Sequence, residues 1–126
     1  VPNRYILAYY RAFNAFYYDD DWPMAGRFAE VAARTPGAPE HVRHNVLAYY
    51  VKGNRADAAV SFLEHSLAEA KDHDTRKAVQ SQLQQARLEQ AFAALKQEIE
   101  AGQVAPSFDV LEQQIDEQLQ PGGTDA

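Results

Sequence analysis

Apolar positions along this chain recur every three or four residues, and period-two alternation of the kind a strand needs is not sustained anywhere. The pattern predicts helices throughout. Breakers divide them: Pro23 falls in a first helical turn, "RTPGAP" (34–39) reads as a loop, "KGN" (52–54) as a turn, "DHD" (72–74) as an N-cap and "GQVAPS" (102–107) as a second loop. The predicted helices cover 3–19, 22–34, 39–52, 55–71, 74–101 and 107–119, and "PGGTDA" (121–126) reads as a frayed tail.

Placed on a wheel of about 100° per residue, most segments show one apolar side. Met24, Ala25, Phe28, Ala29, Val31 and Ala32 gather on the second helix, and Val42, Val46, Tyr49 and Tyr50 on the third. Ala59, Phe62, Leu63, Ser66, Leu67 and Ala70 gather on the fourth. The long fifth segment changes face near Arg87, from Val79, Leu83 and Ala86 to Leu88, Phe92, Leu95 and Ile99. It predicts either a straight helix with two partners or a kink near Arg87. Phe108, Leu111, Ile115 and Leu119 form the stripe of the last helix, and the glutamines between keep the segment soluble.

The tetrapeptide LAYY occurs at 7–10 and at 47–50, an offset of 40 that leaves the following turns out of line. An offset of 33 sets Phe16-Tyr17 on Tyr49-Tyr50 and Ala25 on Ala58, and one of 34 sets Ala25 on Ala59, Phe28 on Phe62 and Ala29 on Leu63. The repeating unit is therefore a helix–turn–helix of about 34 residues. One such pair has too little surface to bury its own apolar face, and stacking pairs makes a continuous core.

"LAYYVKGNRADAAVSFLEHSLAEA" (47–70) resembles the tetratricopeptide (TPR) repeat: an aromatic pair before a Gly-Asn turn, small Ala58 and Ala59, and Phe62 after them. "AFYYDDDWPMAGRFAEVAARTPG" (15–37) is a more degenerate example, and the resemblance spans about residues 3–71. "LEQAFAALKQEIEAGQVAPSFDVLEQQI" is similar to the long helix, loop and short helix that follow such repeats in some bacterial exported or membrane-associated proteins. The resemblance implies an all-α, TPR-like α-solenoid of two helix pairs over 1–71, C-terminal capping helices over 72–120 and a tail over 121–126. It also implies protein–protein interaction, as an adaptor or scaffold or as a subunit built into a larger assembly.

The first helix is apolar over most of its circumference. Ile6, Tyr10, Phe13 and Tyr17 form one stripe, Tyr5, Tyr9, Ala12 and Phe16 a second, and Arg4, Arg11 and Asn14 the narrow polar remainder. Such a helix needs cover on more than one side. Burial against the C-terminal segment or another repeat is one cover, and a docked partner is another. Membrane-surface insertion fits poorly, because the polar face is not Lys-rich and "DDD" (19–21) repels anionic lipid. Tyrosine combines large area, low entropic cost and a polar tip, which suits docking. The functional expectation is a partner helix or extended segment seated on Tyr5, Tyr9 and Phe16, with Arg4, Arg11 and Asn14 giving polar contacts at the edge.

Composition narrows the chemistry. The chain has 126 residues, enough for a real core, and a net charge of −6, without the basic stripe that offsets phosphate charge in nucleic-acid binders. No apolar run approaches the roughly 20 residues that span a bilayer. The sequence opens at Val1 without Met, as a processed form or a fragment does, and a Cys count of 0 removes disulfides, thiolate metal sites and Cys nucleophiles. His41 and His44 stand three apart, a spacing that can present two imidazoles to a metal, but no third ligand is close in sequence. Asp19, Asp20 and Asp21 before Trp22-Pro23 read as an N-cap with favourable charge at the start of the next helix, and the run lacks the alternating oxygens and closing Glu of a calcium loop. The serines have no GxSxG setting and no glycine-rich phosphate loop is present. The expectation is a chain with no catalytic role and no cofactor.

Overall fold

A computed structural model describes residues 4–102 and 108–119; the expectations for the 103–107 loop and the 121–126 tail lie outside them, as do the side chains of Phe108 and Leu111. The described residues are helical, with no strand among them. The helices are α1 (Arg4–Asn14, continued by a π-helical turn over Ala15–Asp19), α2 (Trp22–Arg34), α3 (Glu40–Lys52), α4 (Ala56–Glu69), α5 (His73–Glu100) and α6 (Phe108–Leu119). Each lies within a few residues of its place in the hydrophobic pattern.

The ends follow local chemistry. Asp21 caps α2, its carboxylate accepting the Met24 amide hydrogen at 3.1 Å, and Pro23 fills the first turn, where its missing N–H costs nothing. Thr35 is extended at the other end, because Pro36 disfavours a helical residue before it. Asp72 caps α5 by accepting both the amide and the hydroxyl hydrogen of Thr75, each at 2.8 Å. The Arg76 guanidinium donates to the Leu67 carbonyl at 3.1 Å, satisfying one of the end carbonyls of α4.

The "KGN" turn divides its labour. Asn54 takes the left-handed conformation, with φ of 59°, which Asn tolerates better than most residues. Gly53 is there for space: a Cβ on it would lie 2.8 Å from Pro23 Cδ and 2.9 Å from the Pro23 nitrogen.

The chain divides into two compact units, Val1–Phe62 and Leu63–Ala126. The sequence reading set its boundary after residue 71. Within the second unit, the second half of α4 is tied to α5 by the Arg76–Leu67 bond and by Arg87 to Glu64 at 3.4 Å.

In the first unit α2 packs against both α1 and α3. Ala8, Ala12, Ala15, Ala25, Ala29 and Ala32 are buried where small residues let helices approach, and Val42, Val46, Leu47 and Tyr50 face them from α3. The closest approach is at Gly26, where a Cβ would lie 2.5 Å from the Tyr50 ring. The buried side of α2 is thus Ala25, Gly26, Ala29 and Ala32, with Phe28 half-buried and Met24 and Val31 exposed. The wheel had gathered Met24 and Val31 into the apolar face; the contact is narrower because the Tyr50 ring comes close against a glycine. Ala59 and Phe62 of α4 are buried as the pattern predicted.

In the second unit α5 runs unbroken through Arg87 and packs against α6. Leu63 and Leu67 of α4 and Val79, Leu83, Ala86 and Ala91 of α5 are buried. Leu88 and Leu95 are half-buried, and Phe92 and Ile99 stay exposed. On α6, Ile115 and Leu119 are half-buried.

Candidate functional site

The two aromatic stripes of α1 have opposite fates. The inward side is centred on the alanines Ala8, Ala12 and Ala15. Tyr5 and Tyr9 flank them, half-buried and packed against Ala8, Ala32 and Val42. The Tyr9 hydroxyl accepts a hydrogen bond from Asn45 at 2.7 Å, and its ring meets His41 edge-on at 6.2 Å. Phe16 is half-buried in an aromatic cluster, 3.9 Å from the Trp22 ring and 5.5 Å from the Tyr49 ring. The Lys52 ammonium stands over the Trp22 ring at 4.5 Å and closes that cluster at its edge.

Tyr5, Tyr9 and Phe16, the anchors expected from sequence, are therefore engaged by their own chain and do not present an open groove. The reason is the alanine row beside them. Small residues mark the side on which the next helix comes close, and the aromatics that flank the row are drawn in with it. Of the polar residues expected at the edge, Arg4 and Arg11 are exposed and Asn14 is half-buried.

The outward stripe is the other one. Ile6 is 47% exposed, Tyr10 64%, Phe13 41% and Tyr17 59%, with Leu7 and Tyr18 exposed on the same helix. An isolated exposed leucine is ordinary, whereas these exposed apolar side chains run along one helix face. The π-helical turn contributes to it. Its wider winding keeps Phe16 inward on Trp22 while bringing the Tyr17 ring to 4.2 Å from Phe13. The turn ends at Asp20, in the left-handed conformation with φ of 50°. Single π turns of this kind are rare and recur at functional sites.

The tyrosines of α3 bind the inner side together and set an alkaline limit on stability. Burial pushes the Tyr49 hydroxyl up to about 12, with help from neighbouring Tyr9. Burial, and then the bond it donates to Glu30 at 2.8 Å, holds the Tyr50 proton well above the ordinary phenol range. Both groups keep their protons more tightly folded than unfolded. Their contribution is full below the ordinary value of about 10 and is lost as pH rises above it, because the unfolded chain ionises first. The thermal midpoint is expected to fall above about pH 10, and Tyr49→Phe/Tyr50→Phe to flatten that fall in a series of melts across pH.

The other candidate chemistry does not assemble. His41 and His44 are both exposed, and His41 is occupied with the Tyr9 ring. Among the described residues no three His, Asp or Glu side chains are grouped to hold a metal ion. Asp21 serves as the cap of α2, as its position before Trp22-Pro23 suggested. No helix among the described residues is long and apolar enough to cross a membrane. Comparison with protein-family models, with curated proteins and with solved structures finds no match to this chain.

Proposed function

We propose that this chain is a non-catalytic protein-interaction module, built on two TPR-like helix pairs and docking a helical partner along the outward face of α1. Support for the TPR-like reading comes from the repeat of about 34 residues, from α2 packing on both neighbours, and from buried small residues at the approaches. The docking reading is carried by one observation, the exposed stripe of Ile6, Tyr10, Phe13 and Tyr17. The surface is the one expected from sequence turned by about one residue around the helix: Tyr10 and Phe13 take the anchoring role assigned to Tyr9 and Phe16. Arg4 and Arg11 are both exposed.

The test compares capture of binding proteins from the native source by the unaltered chain and by Tyr10→Ala/Phe13→Ala. Both residues are exposed, so the variant is expected to melt within about 1 kcal/mol of the parent. A bound protein kept by the parent and lost by the variant supports the reading. Equal capture by the two removes the site from α1.

A further inference from the structure

We infer that the outward face of α2 is a second docking surface, one that takes an acidic amphipathic helix of a protein partner through Arg27 and Arg34. It is a different surface from the face of α1, and either can fail without the other.

The surface is the side of α2 left over from packing. Ala25, Gly26, Ala29 and Ala32 are buried where α2 meets α1 and α3. Met24, Arg27, Val31 and Arg34 stand on the opposite side, at steps of three, four and three residues, the spacing of one helix face. All four are exposed, Met24 at 38% and Val31 at 57%. Two apolar side chains thus alternate with two guanidiniums.

The charges name the occupant. An arginine three residues before a glutamate on a helix is placed to pair with it. Glu30 is already engaged: its Oε1 accepts the Tyr50 hydroxyl hydrogen at 2.8 Å, and its Oε2 pairs with Arg34 at 3.0 Å. Arg27 therefore forms no ion pair among the described residues. Its planar fork of donors matches a carboxylate at two points. Arg34 adds a second charge that is held in place, with the Phe62 ring at 5.8 Å and Glu30 beside it, yet its side chain is 48% exposed and keeps donors to offer. Together α2 and α3 carry Arg27, Arg34, Arg43 and Lys52 against Glu30 and Glu40, in a chain whose net charge is −6. A basic element in an acidic chain draws an acidic segment to itself.

Other occupants fit this face less well. A second copy of it would set arginine beside arginine, a repulsive contact. A phosphate backbone would meet the Glu30 carboxylate, which lies between the two arginines in sequence, and would leave Met24 and Val31 without apolar cover. An amphipathic helix answers both halves of the pattern. Its apolar side chains cover Met24 and Val31, and carboxylates seven residues apart, about 10 Å along a helix, reach Arg27 and Arg34. Covering the apolar pair also excludes water from the charge contacts and strengthens them.

Fluorescence anisotropy tests this, with the full chain titrated into a labelled helical peptide of leucine, alanine and glutamate whose glutamates lie seven residues apart. The expected dissociation constant is on the order of 100 μM at low salt, for a contact one helix long and below the standard interface area. Arg27→Glu is expected to raise it about tenfold, and Val31→Ser to raise it by a smaller factor. Lys77→Glu, the same charge change at an exposed position of α5, is expected to leave it as it was. A twin peptide with glutamine in place of glutamate is expected not to bind. That arm needs no altered protein, so the test stands even where a variant folds poorly. No binding of the acidic peptide up to about 1 mM overturns the inference. So does equal binding of the twin, an Arg27→Glu chain that binds as the parent does, or a Lys77→Glu chain weakened as much as Arg27→Glu. A DNA oligonucleotide of equal charge that binds more tightly than the peptide, and loses that binding in Arg27→Glu, assigns the face to phosphate and overturns the acidic helix.

Discussion

Gly26→Val is expected to destabilise the chain by about 3 kcal/mol, the upper end of the usual overpacking cost. The position is a mid-helix residue of α2, buried, with the Tyr50 ring laid across it. A single Cβ would come within 2.5 Å of ring carbon Cδ1 and 2.6 Å of Cε1. The ring cannot step aside cheaply. It is itself buried at 4% exposure, and its hydroxyl is held by Glu30, one turn along the same helix as Gly26. Gly26→Ala is the milder test, since alanine recovers about 1 kcal/mol of helix propensity against glycine and partly offsets the clash. For a chain of this size the valine variant is expected to lower Tm by roughly 10 °C, read by circular dichroism. The cause is checked by coupling. In the Gly26→Val background, Tyr50→Leu should cost much less than it does alone, because the ring is then the source of strain. Strict additivity would place the strain elsewhere.

Gly26 also shows where sequence reading stops. The helical period of the chain was legible, and so were its punctuation marks: Asp21 and Asp72 act as caps, and the Gly-Asn pair makes the turn after α3. These are local features, decided by a few neighbouring residues. The wheel could not say which residues of an apolar arc meet another helix. On α2 it admitted Met24 and Val31, which are exposed, because hydrophobicity alone does not register that the approach is fixed by a glycine under a ring.

On α1 the pattern offered two adjacent aromatic stripes; the one expected to anchor a partner, Tyr5, Tyr9 and Phe16, is half-buried, and the other, Ile6, Tyr10, Phe13 and Tyr17, is exposed. The deciding signal was present in the alanines at 8, 12 and 15, beside which Tyr5, Tyr9 and Phe16 lie. The π turn that swings Tyr17 beside Phe13 left no mark in composition, since it depends on how Asp20 and Asp21 close back onto the Ala15 carbonyl.

Phe62→Ala is the last and largest expected change, about 4 kcal/mol, from the range measured when a buried aromatic is truncated to alanine. Phe62 is 3% exposed, and its ring supports the Arg34 guanidinium at 5.8 Å. Arg34 in turn pairs with Glu30 at 3.0 Å, and Glu30 accepts the Tyr50 hydroxyl hydrogen at 2.8 Å. One side chain of α4 is thereby linked through two of α2 to one of α3. Most of the loss comes from the vacated volume. The cation–ring contact adds about 0.5–1 kcal/mol at a partly exposed guanidinium, and the Arg34–Glu30 pair, also partly exposed, adds little of its own. Three variants separate these contributions. Phe62→Leu keeps most of the volume and should cost well under half as much as alanine. Arg34→Met keeps the stem over the ring, removes both charge contacts, and should cost about 1 kcal/mol. Phe62→Ala in the Arg34→Met background should then cost less than Phe62→Ala alone by the size of the cation–ring contact, a difference a double-mutant cycle of denaturant midpoints can read. A Phe62→Ala variant that melts like the parent would mean that α4 contributes nothing to the first unit, and the two-pair reading of residues 3–71 would fall with it.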